Sequence, residues 1–263
     1  LLHQLPAKGR RRIQRPVTSR FRKILRSWFK ASELVFFPSH CRLCGNLLEK
    51  PRERIACGEC LSKVTPRFSS YCTSCGRFFE GAGNPHVCSV CIERRPPFSR
   101  HRSCASYQTE LKDLILLFKF RGYSVLAGEL AGFAEKALGK DESLWSGVDL
   151  IVPVPLHRRR KRRRGYDQAL LLAERLGRGH GVPVLGGCLI KIRDNPPQTS
   201  LESREREINV RGAYAVKAPG GARDKTILLV DDVYTTGSTL RECSRVLLEA
   251  GAKEIRALTI AQA

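Results

Sequence analysis

Residues 227–239 carry more information about the architecture than any other part of the chain. They read Ile227-Leu228-Leu229-Val230-Asp231-Asp232-Val233-Tyr234-Thr235-Thr236-Gly237-Ser238-Thr239. The run from Thr226 to Val230 is continuously β-branched and aliphatic, which is typical of a central strand in a parallel sheet. A helix is expected at Ser238–Ala250. Because open α/β sheets bind ligands at the carboxyl ends of their strands, we expect a binding site directly after Val230.

The residues that follow this strand are suited to a phosphorylated sugar. A short Thr/Gly/Ser loop that opens a helix offers hydroxyls, backbone N–H groups and the positive end of the helix to a phosphate. Asp231 and Asp232 can accept hydrogen bonds from two sugar hydroxyls. An ordinary strand–turn–helix with fortuitous acids is the alternative. A response-regulator receiver is excluded because only 31 residues follow Asp232, too few for the rest of that fold.

Strands and helices alternate after Pro96-Pro97. Apolar residues at helical spacing predict helices at 111–120 and 169–176. Apolar runs predict a strand that leads into a loop within 148–155 and a last strand at 254–260. This alternation predicts an α/β domain over residues 96–263, with a doubly wound parallel sheet and helices on both of its faces.

Eight cysteines form the same pattern, C-x2-C-x12-C-x2-C, twice at an interval of 31 residues. The first set is Cys41, Cys44, Cys57 and Cys60, and the second is Cys72, Cys75, Cys88 and Cys91. Two C-x2-C pairs can complete a tetrahedron around one metal ion, and four thiolates leave no open position for water. We therefore predict a double zinc ribbon over residues 32–95 that holds two structural zinc ions.

Three alternatives to this zinc assignment stay open at the level of sequence. The cysteines could form disulfides, but this needs an oxidising compartment. The two sets could exchange pairs, and His86 could replace one cysteine. Three isolated cysteines are read as small buried hydrophobic residues: Cys104, Cys188 and Cys243.

Basic residues are concentrated in two places. The chain has 47 Lys+Arg against 25 Asp+Glu, and this net charge of +22 points to polyanionic partners. Residues 1–31 are interpreted as a basic extension that is disordered or results from a misplaced start. Within it, Phe21 to Phe29 has amphipathic helical spacing, which also suits a membrane-surface helix, a nucleic-acid-binding helix or a transit segment. The run Arg158–Arg164 is either a phosphate-binding element or a solvated, partly disordered flank.

Composition also limits the class of protein. Hydrophobic residues make up 42% of the chain, which argues against global disorder. There is no run of eighteen apolar residues and no secretory h-region before the cysteines. We therefore expect no transmembrane segment and a cytoplasmic location.

Several segments together resemble one protein family. Residues 227–239 resemble the 5-phosphoribosyl-1-diphosphate (PRPP) motif of type I phosphoribosyltransferases, a hydrophobic strand followed by two acids and a T-T-G-x-T loop. Further segments that fit are Ser32–Pro38, Phe118–Tyr123, Val152–Leu156, Arg164–Ala169, Gln198–Thr199 and Asn209–Tyr214. Over about residues 32–262 the chain resembles the ComF family, a double zinc ribbon fused to a phosphoribosyltransferase domain. Asp167 stands where the family commonly has Asn.

This resemblance implies roles for individual residues. Asp231 and Asp232 would be the catalytic residues that hold the ribose 2- and 3-hydroxyls. The loop for the 5-phosphate would comprise Val233, Tyr234, Thr235, Thr236, Gly237, Ser238 and Thr239. The pyrophosphate loop would comprise Pro155, Leu156, Arg158 and Arg164. Magnesium would bind together with PRPP, and Gln198–Asn209 would close over the ligand.

The resemblance is compatible with two functions. The first is an enzyme that transfers phosphoribose from PRPP to a nitrogen acceptor, which the sequence does not identify, with release of pyrophosphate. The alternative is a non-catalytic cytoplasmic competence protein. Such a protein would use the same pocket and a basic surface in the uptake of single-stranded DNA, alongside a competence helicase.

Overall fold

The computed structural model describes residues 39–48, 55–68, 70–81, 83–194, 210–217 and 219–263. The chain divides into two compact units, Leu1–Cys57 and Gly58–Ala263. The basic extension with its amphipathic segment Phe21–Phe29 lies outside the described residues, as does the whole of the expected closing segment Gln198–Asn209. In the described part of the chain, no helix has both the length and the apolar character required to cross a bilayer.

The second unit is organised around a parallel sheet. Its strands in chain order are β1 (Arg100–Ser106), β2 (Leu150–Pro153), β3 (Leu189–Lys191), β4 (Tyr214–Val216), β5 (Thr226–Tyr234) and β6 (Glu254–Gln262). Four of them form the sheet in the order β1-β6-β5-β2, and each neighbouring pair is parallel. Strands β3 and β4 form a separate antiparallel pair. The predicted parallel sheet is confirmed, and β5 is one of its two inner strands.

Eight helices are described. They are α1 (Gly58–Ser62), α2 (Ser89–Glu93), α3 (Thr109–Phe120), α4 (Leu126–Leu138), α5 (Glu142–Trp145), α6 (Arg158–Arg164), α7 (Gln168–His180) and α8 (Ser238–Glu249). A 3-10 turn occupies Pro219–Gly221.

Helices cover both faces of the sheet, as predicted. Ile227 and Leu229 of β5 belong to a buried cluster that includes Leu240 of α8. Successive residues of a strand point to opposite faces, so Leu228 and Val230 face the other way. On that second face α7 packs against β2 and β5, and a Cβ added to its Gly177 would lie 3.6 Å from Ile151 of β2.

The predicted element boundaries need correction in two strands. The strand and loop predicted within 148–155 are confirmed, with β2 at Leu150–Pro153, but the strand predicted at 254–260 extends to Gln262 in β6. The predicted strand end at Val230 is also wrong, because the ladder with β6 continues as far as Tyr234 opposite Gln262. The acidic residues after Val230 therefore lie within β5.

The basic run Arg158–Arg164 forms helix α6, so the structure does not show it as a disordered flank. His157 precedes the helix and its Nδ1 accepts a hydrogen bond from the Arg159 N–H at 3.4 Å. Gly165 ends the helix at φ +86°, a left-handed conformation that favours glycine. None of its seven residues is buried, so its charges face solvent or clefts.

Candidate functional site

The acidic pair, Asp231 and Asp232, lies near the carboxyl end of β5. The Asp232 backbone N–H donates to Asp231 Oδ1 at 2.8 Å. Lys119, the penultimate residue of α3, places its Nζ 2.7 Å from Asp232 Oδ1. The other oxygen, Asp232 Oδ2, is buried and has no hydrogen-bond partner among the described residues. A buried acceptor with a free lone pair is available to a ligand hydroxyl.

The surroundings of Asp231, including the adjacent Asp232, affect the protonation of its carboxyl group. Burial raises the pKa of Asp231 to about 8, and the charge of Asp232 acts in the same direction. Burial lowers the pKa of Lys119, but the carboxylates of Asp232 and Asp231 outweigh this and raise it above the usual value. The raised pKa means that Asp231 holds its proton at a pH where an exposed aspartate is ionised.

The predicted phosphate loop, Val233–Thr239, does not form one loop: Val233 and Tyr234 end β5, Thr235–Gly237 connect β5 to α8, and Ser238 and Thr239 open α8. Gly237 at φ +78° is the residue before α8, and the first helical N–H groups follow it. Within the loop Thr236 Oγ1 donates to Ser238 Oγ at 3.0 Å. A Cβ added to Gly237 would overlap the ring of Tyr234, with Cζ at 2.7 Å, so this glycine is required by both conformation and space.

A cationic cleft of about 380 Å³ lies beside the acidic pair. It is lined by Lys119, Phe120, Gly122, Arg160, Arg163 and Arg164. The Arg164 guanidinium lies 5.4 Å from the ring centroid of Phe120, and its buried Nη1 has no hydrogen-bond partner in the described chain. A buried guanidinium N–H without a partner is suited to an anion that bridges it to Lys119.

The predicted pyrophosphate loop is divided between two clefts. Pro155, Leu156 and Arg158 line a second cleft of about 500 Å³ together with Lys191. Arg164 instead lines the cationic cleft. The Leu156 N–H donates to Asp167 Oδ2 at 3.3 Å. Asp167 also caps α7 by accepting from the Leu170 N–H, so an aspartate at this position is compatible with the fold.

The second cysteine set has the geometry of a closed metal centre. Its four Sγ atoms lie within 4.8 Å of one another and all four residues are buried. Cys75 Sγ and Cys88 Sγ are 3.8 Å apart, which matches the ~3.8 Å expected between sulfurs in a tetrahedron with Zn–S bonds of about 2.3 Å. Burial raises the pKa of Cys72, but backbone N–H groups lower it by more, to about 7.

The first cysteine set repeats this geometry 31 residues earlier. Its Sγ atoms also lie within 4.8 Å of one another, and Cys44 Sγ and Cys57 Sγ are 3.7 Å apart. The Cys57 N–H donates to Cys41 Sγ at 3.3 Å, as the Cys88 N–H does to Cys72 Sγ. All eleven cysteines are free thiols. Both sets therefore fit structural zinc, each set is local, and neither the disulfide nor the exchanged pairing is present.

Two family models match this chain. Residues 162–263 match the phosphoribosyl transferase domain, and residues 34–92 match the double zinc ribbon domain. Competence protein F of Haemophilus influenzae is 31% identical over 175 residues, which are 65% of this chain and 76% of that protein. The chain belongs to the ComF family.

Other relatives carry related names. DNA utilization protein YhgH of Salmonella typhimurium is 32% identical over 63% of this chain and 73% of that protein. Competence protein ComFC of Bacillus subtilis is 31% identical over 58% of this chain and 59% of that protein.

Two lysines of this ComF-family chain were not among the predicted site residues. Lys119 pairs with Asp232, and Lys191 of β3 lies in the second cleft with its Nζ 5.2 Å from the Tyr214 ring centroid. Burial lowers the pKa of Lys191, as does the charge of Arg160. The sequence could have indicated Lys119, because it is a cation between two phenylalanines at the end of an apolar helix. Lys191 belongs to a short strand whose pattern gives no such signal.

Proposed function

We propose that residues 96–263 bind PRPP and act as a phosphoribosyltransferase that joins phosphoribose to a nitrogen acceptor. The observation that carries this proposal is the order of groups along one stretch of backbone. The acidic pair is followed directly by the phosphate loop, and Lys119 and Arg164 stand beside the pair. This arrangement offers acceptors to the ribose, donors to its 5-phosphate and cations to its pyrophosphate.

The ribose and its 5-phosphate are assigned to β5 and the loop after it. Asp231 and Asp232 accept hydrogen bonds from the 2- and 3-hydroxyls, with Asp232 Oδ2 free for one of them. The segment Thr235–Thr239 surrounds the 5-phosphate, with the N–H groups at the start of α8 aimed at it. The partial positive charge of the helix terminus adds to this attraction.

The pyrophosphate is assigned to the cations beside the acidic pair. Lys119 and Arg164 contact it in the cationic cleft, while Pro155, Leu156 and Arg158 approach from the second cleft. Magnesium that arrives with PRPP would neutralise the pyrophosphate charge and retain several waters. Lys119 lies between Asp232 and the cationic cleft, so it links the two halves of the ligand.

The proposed reaction breaks the bond between ribose C1 and the pyrophosphate oxygen and forms a bond between C1 and the acceptor nitrogen. The nitrogen loses one proton, and the bonding electron pair leaves with pyrophosphate. Positive charge develops on the ribose ring in the transition state, so positioning and electrostatics matter more than a strong base. The acidic pair lies where that charge develops. Since zinc-ligating thiolates persist in a reducing compartment, the proposal places this chemistry in the cytoplasm.

Calorimetry with PRPP and magnesium tests the binding step. We expect the double variant Asp231→Asn, Asp232→Asn to bind at least about a hundredfold more weakly, since each hydrogen bond to a charged group contributes about 1.5–3 kcal/mol. Asp224→Asn, at an exposed aspartate in the same unit, is the matched control. Binding equal in the double variant and the wild type would refute the assignment of the acidic pair.

A screen for pyrophosphate release across free bases and amines tests the transfer step. Release that needs an acceptor and disappears in the double variant supports the enzyme. Binding of PRPP without release for any acceptor contradicts it.

A second candidate function is the handling of single-stranded DNA, with a helicase as a further partner. The specific observation is α6, seven consecutive basic residues with no buried member, and two relatives carry competence in their names. This function predicts single-stranded DNA binding whose affinity falls steeply with salt. Replacing Arg158, Arg159 and Lys161 with Gln should flatten that salt dependence. Equal salt slopes in variant and wild type would exclude α6 as the DNA contact.

A further inference from the structure

A buried histidine connects the second cysteine set to the parallel sheet. His101 of β1 is fully buried. Its Nδ1 lies 2.7 Å from the carbonyl oxygen of Cys75, and its backbone N–H donates to the Ser74 carbonyl at 2.9 Å. A carbonyl oxygen only accepts, so Nδ1 carries the proton and Nε2 accepts from Thr259 Oγ1 at 3.0 Å. The ring orientation is fixed at both nitrogens.

The turn of the second cysteine set is packed tightly onto this histidine. A Cβ at Gly76 would lie 2.5 Å from the His101 carbonyl oxygen and 2.8 Å from its Nδ1. Gln262 at the end of β6 accepts from the Phe78 N–H at 2.7 Å and donates to the Gly76 carbonyl at 3.2 Å. The turn cannot move without moving the ends of β1 and β6.

The His101 ring also contacts a residue next to the phosphate loop. The His101 ring stacks on Tyr234 with centroids 4.3 Å apart and an angle of 21° between the planes. Tyr234 is the last residue of β5, and its ring lies against Gly237, where α8 begins. A continuous chain of contacts therefore runs from a zinc ligand, through two rings, to the loop.

We propose that His101 and Tyr234 are positioning residues through which the second cysteine set, when loaded with zinc, holds the phosphate loop in its binding conformation. The inference rests on the proposed function of that loop. Zinc fixes the Cys72–Gly76 turn, the turn fixes the His101 ring, and the stacked Tyr234 ring supports Gly237. A loop held in the bound conformation loses less entropy when it binds a phosphate, so affinity rises. The first cysteine set makes no part of this chain of contacts among the described residues.

The direct test replaces the stacked ring in the full-length, zinc-loaded protein. We expect Tyr234→Leu to weaken PRPP binding about tenfold and to speed amide hydrogen exchange in residues 235–239 to a similar extent, with both zinc ions retained. Tyr234→Phe keeps the ring and should restore most of the exchange protection. Phe79→Leu is the matched control, because Phe79 lies in the same ribbon but stacks on His86 at 4.3 Å, not on His101 or Tyr234.

A reciprocal test separates positioning from general structural damage. If zinc improves PRPP binding, PRPP must tighten zinc binding to the same set by the same factor. In Cys44→Ser, which keeps only the second metal, we expect saturating PRPP to lower the zinc dissociation constant, measured by equilibrium competition with a chelator, about tenfold. An unchanged zinc dissociation constant with PRPP bound would overturn the inference.

The outcomes also distinguish failure of this inference from failure of the proposed function. If the wild type does not bind PRPP, the proposed function fails, and hydrogen exchange still decides the inference without any ligand. Faster exchange of residues 235–239 after chelation of the second zinc, at a temperature where the β5 amides stay protected, supports it. Unchanged exchange of the loop in that state refutes it.

Discussion

The two cysteine sets share their spacing and their backbone hydrogen bonds, yet they differ in their surroundings. Cys44 is exposed, whereas its counterpart Cys75 is only 3% exposed. A Cβ added to Gly45 meets no described atom within 4 Å, but one added to Gly76 would collide with His101. The second set belongs to the same buried cluster as Ile227 and Leu229 of β5. Most of the first set lies in the other compact unit, Leu1–Cys57.

This contrast shows that the sequence repeat determines the local fold of each cysteine set but not how the set packs against the rest of the chain. The Cys41 N–H bonds the Asn46 carbonyl just as the Cys72 N–H bonds the Arg77 carbonyl. The residues that make the second set part of the domain core lie outside the repeat, at His101 and Gln262. We therefore expect equivalent substitutions in the two sets to have unequal consequences.

The largest difference in stability is expected between the variants Cys75→Ser and Cys44→Ser. Each should remove one zinc ion of two, as measured by metal analysis. Cys75→Ser should also lower the unfolding free energy of the α/β domain by on the order of 4 kcal/mol or more, because a buried metal centre in its core is lost. Cys44→Ser should leave the main urea transition, followed by circular dichroism, where it is in the wild type.

Equal destabilisation by the two serine variants would show that the first set is also part of the cooperative core. A zinc content of one ion per chain in the wild type would contradict the two-centre assignment altogether.

A smaller difference in stability is expected between the matched variants Gly76→Ala and Gly45→Ala. Both glycines have positive φ, +68° and +79°, so alanine costs about 1 kcal/mol at either position. Only at Gly76 does the new Cβ also collide with His101, and we expect a total loss of about 3 kcal/mol in the urea transition of the α/β domain. Gly45→Ala should speed zinc release from the first set alone. The reverse ranking would show that the contact with His101 relaxes without cost.

The sequence predicted most of the fold where the pattern is strong. The apolar run of β5 and the helical spacing of α3 and α7 were sufficient for the parallel sheet, and the cysteine spacing was sufficient for the two metal centres. The sequence missed β1, because His101, Arg102 and Ser103 look like an exposed segment. In the structure they are buried and satisfied by partners far away in sequence, such as Thr259 and Asp141.

The candidate site was only partly predictable for a related reason. The acidic pair and the phosphate loop are contiguous in sequence, so their motif is visible. The residues that complete the site come from other elements: Lys119 from the end of α3, and Lys191 from a three-residue strand. Their proximity follows from the packing of the sheet, which no local pattern encodes.

Removing the Gln262 side chain should have a moderate effect on one set only. Gln262→Ala leaves the Phe78 N–H and the Gly76 carbonyl without their partners, and we expect a loss of about 1–3 kcal/mol. Zinc release from the second set should become faster in a chelator assay, while release from the first set keeps its rate. If both rates rise together, the difference between the sets is smaller than the contacts suggest.

The smallest expected effect is on the pH dependence of the stability of the unit that contains the second set. Because burial raises the pKa of Asp231 to about 8, the folded state binds more protons than the unfolded state between the usual aspartate pKa and about 8. The contribution of Asp231 to stability is therefore fully present at acidic pH and is lost as the pH rises through that interval. Asp231→Asn removes this term, so the variant should gain stability relative to the wild type by on the order of 1 kcal/mol between pH 5 and pH 6. Thermal unfolding at both pH values measures the difference, and Asp224→Asn should track the wild type. A constant difference between Asp231→Asn and the wild type would mean that Asp231 is already ionised at pH 5, with its charge balanced by Lys119.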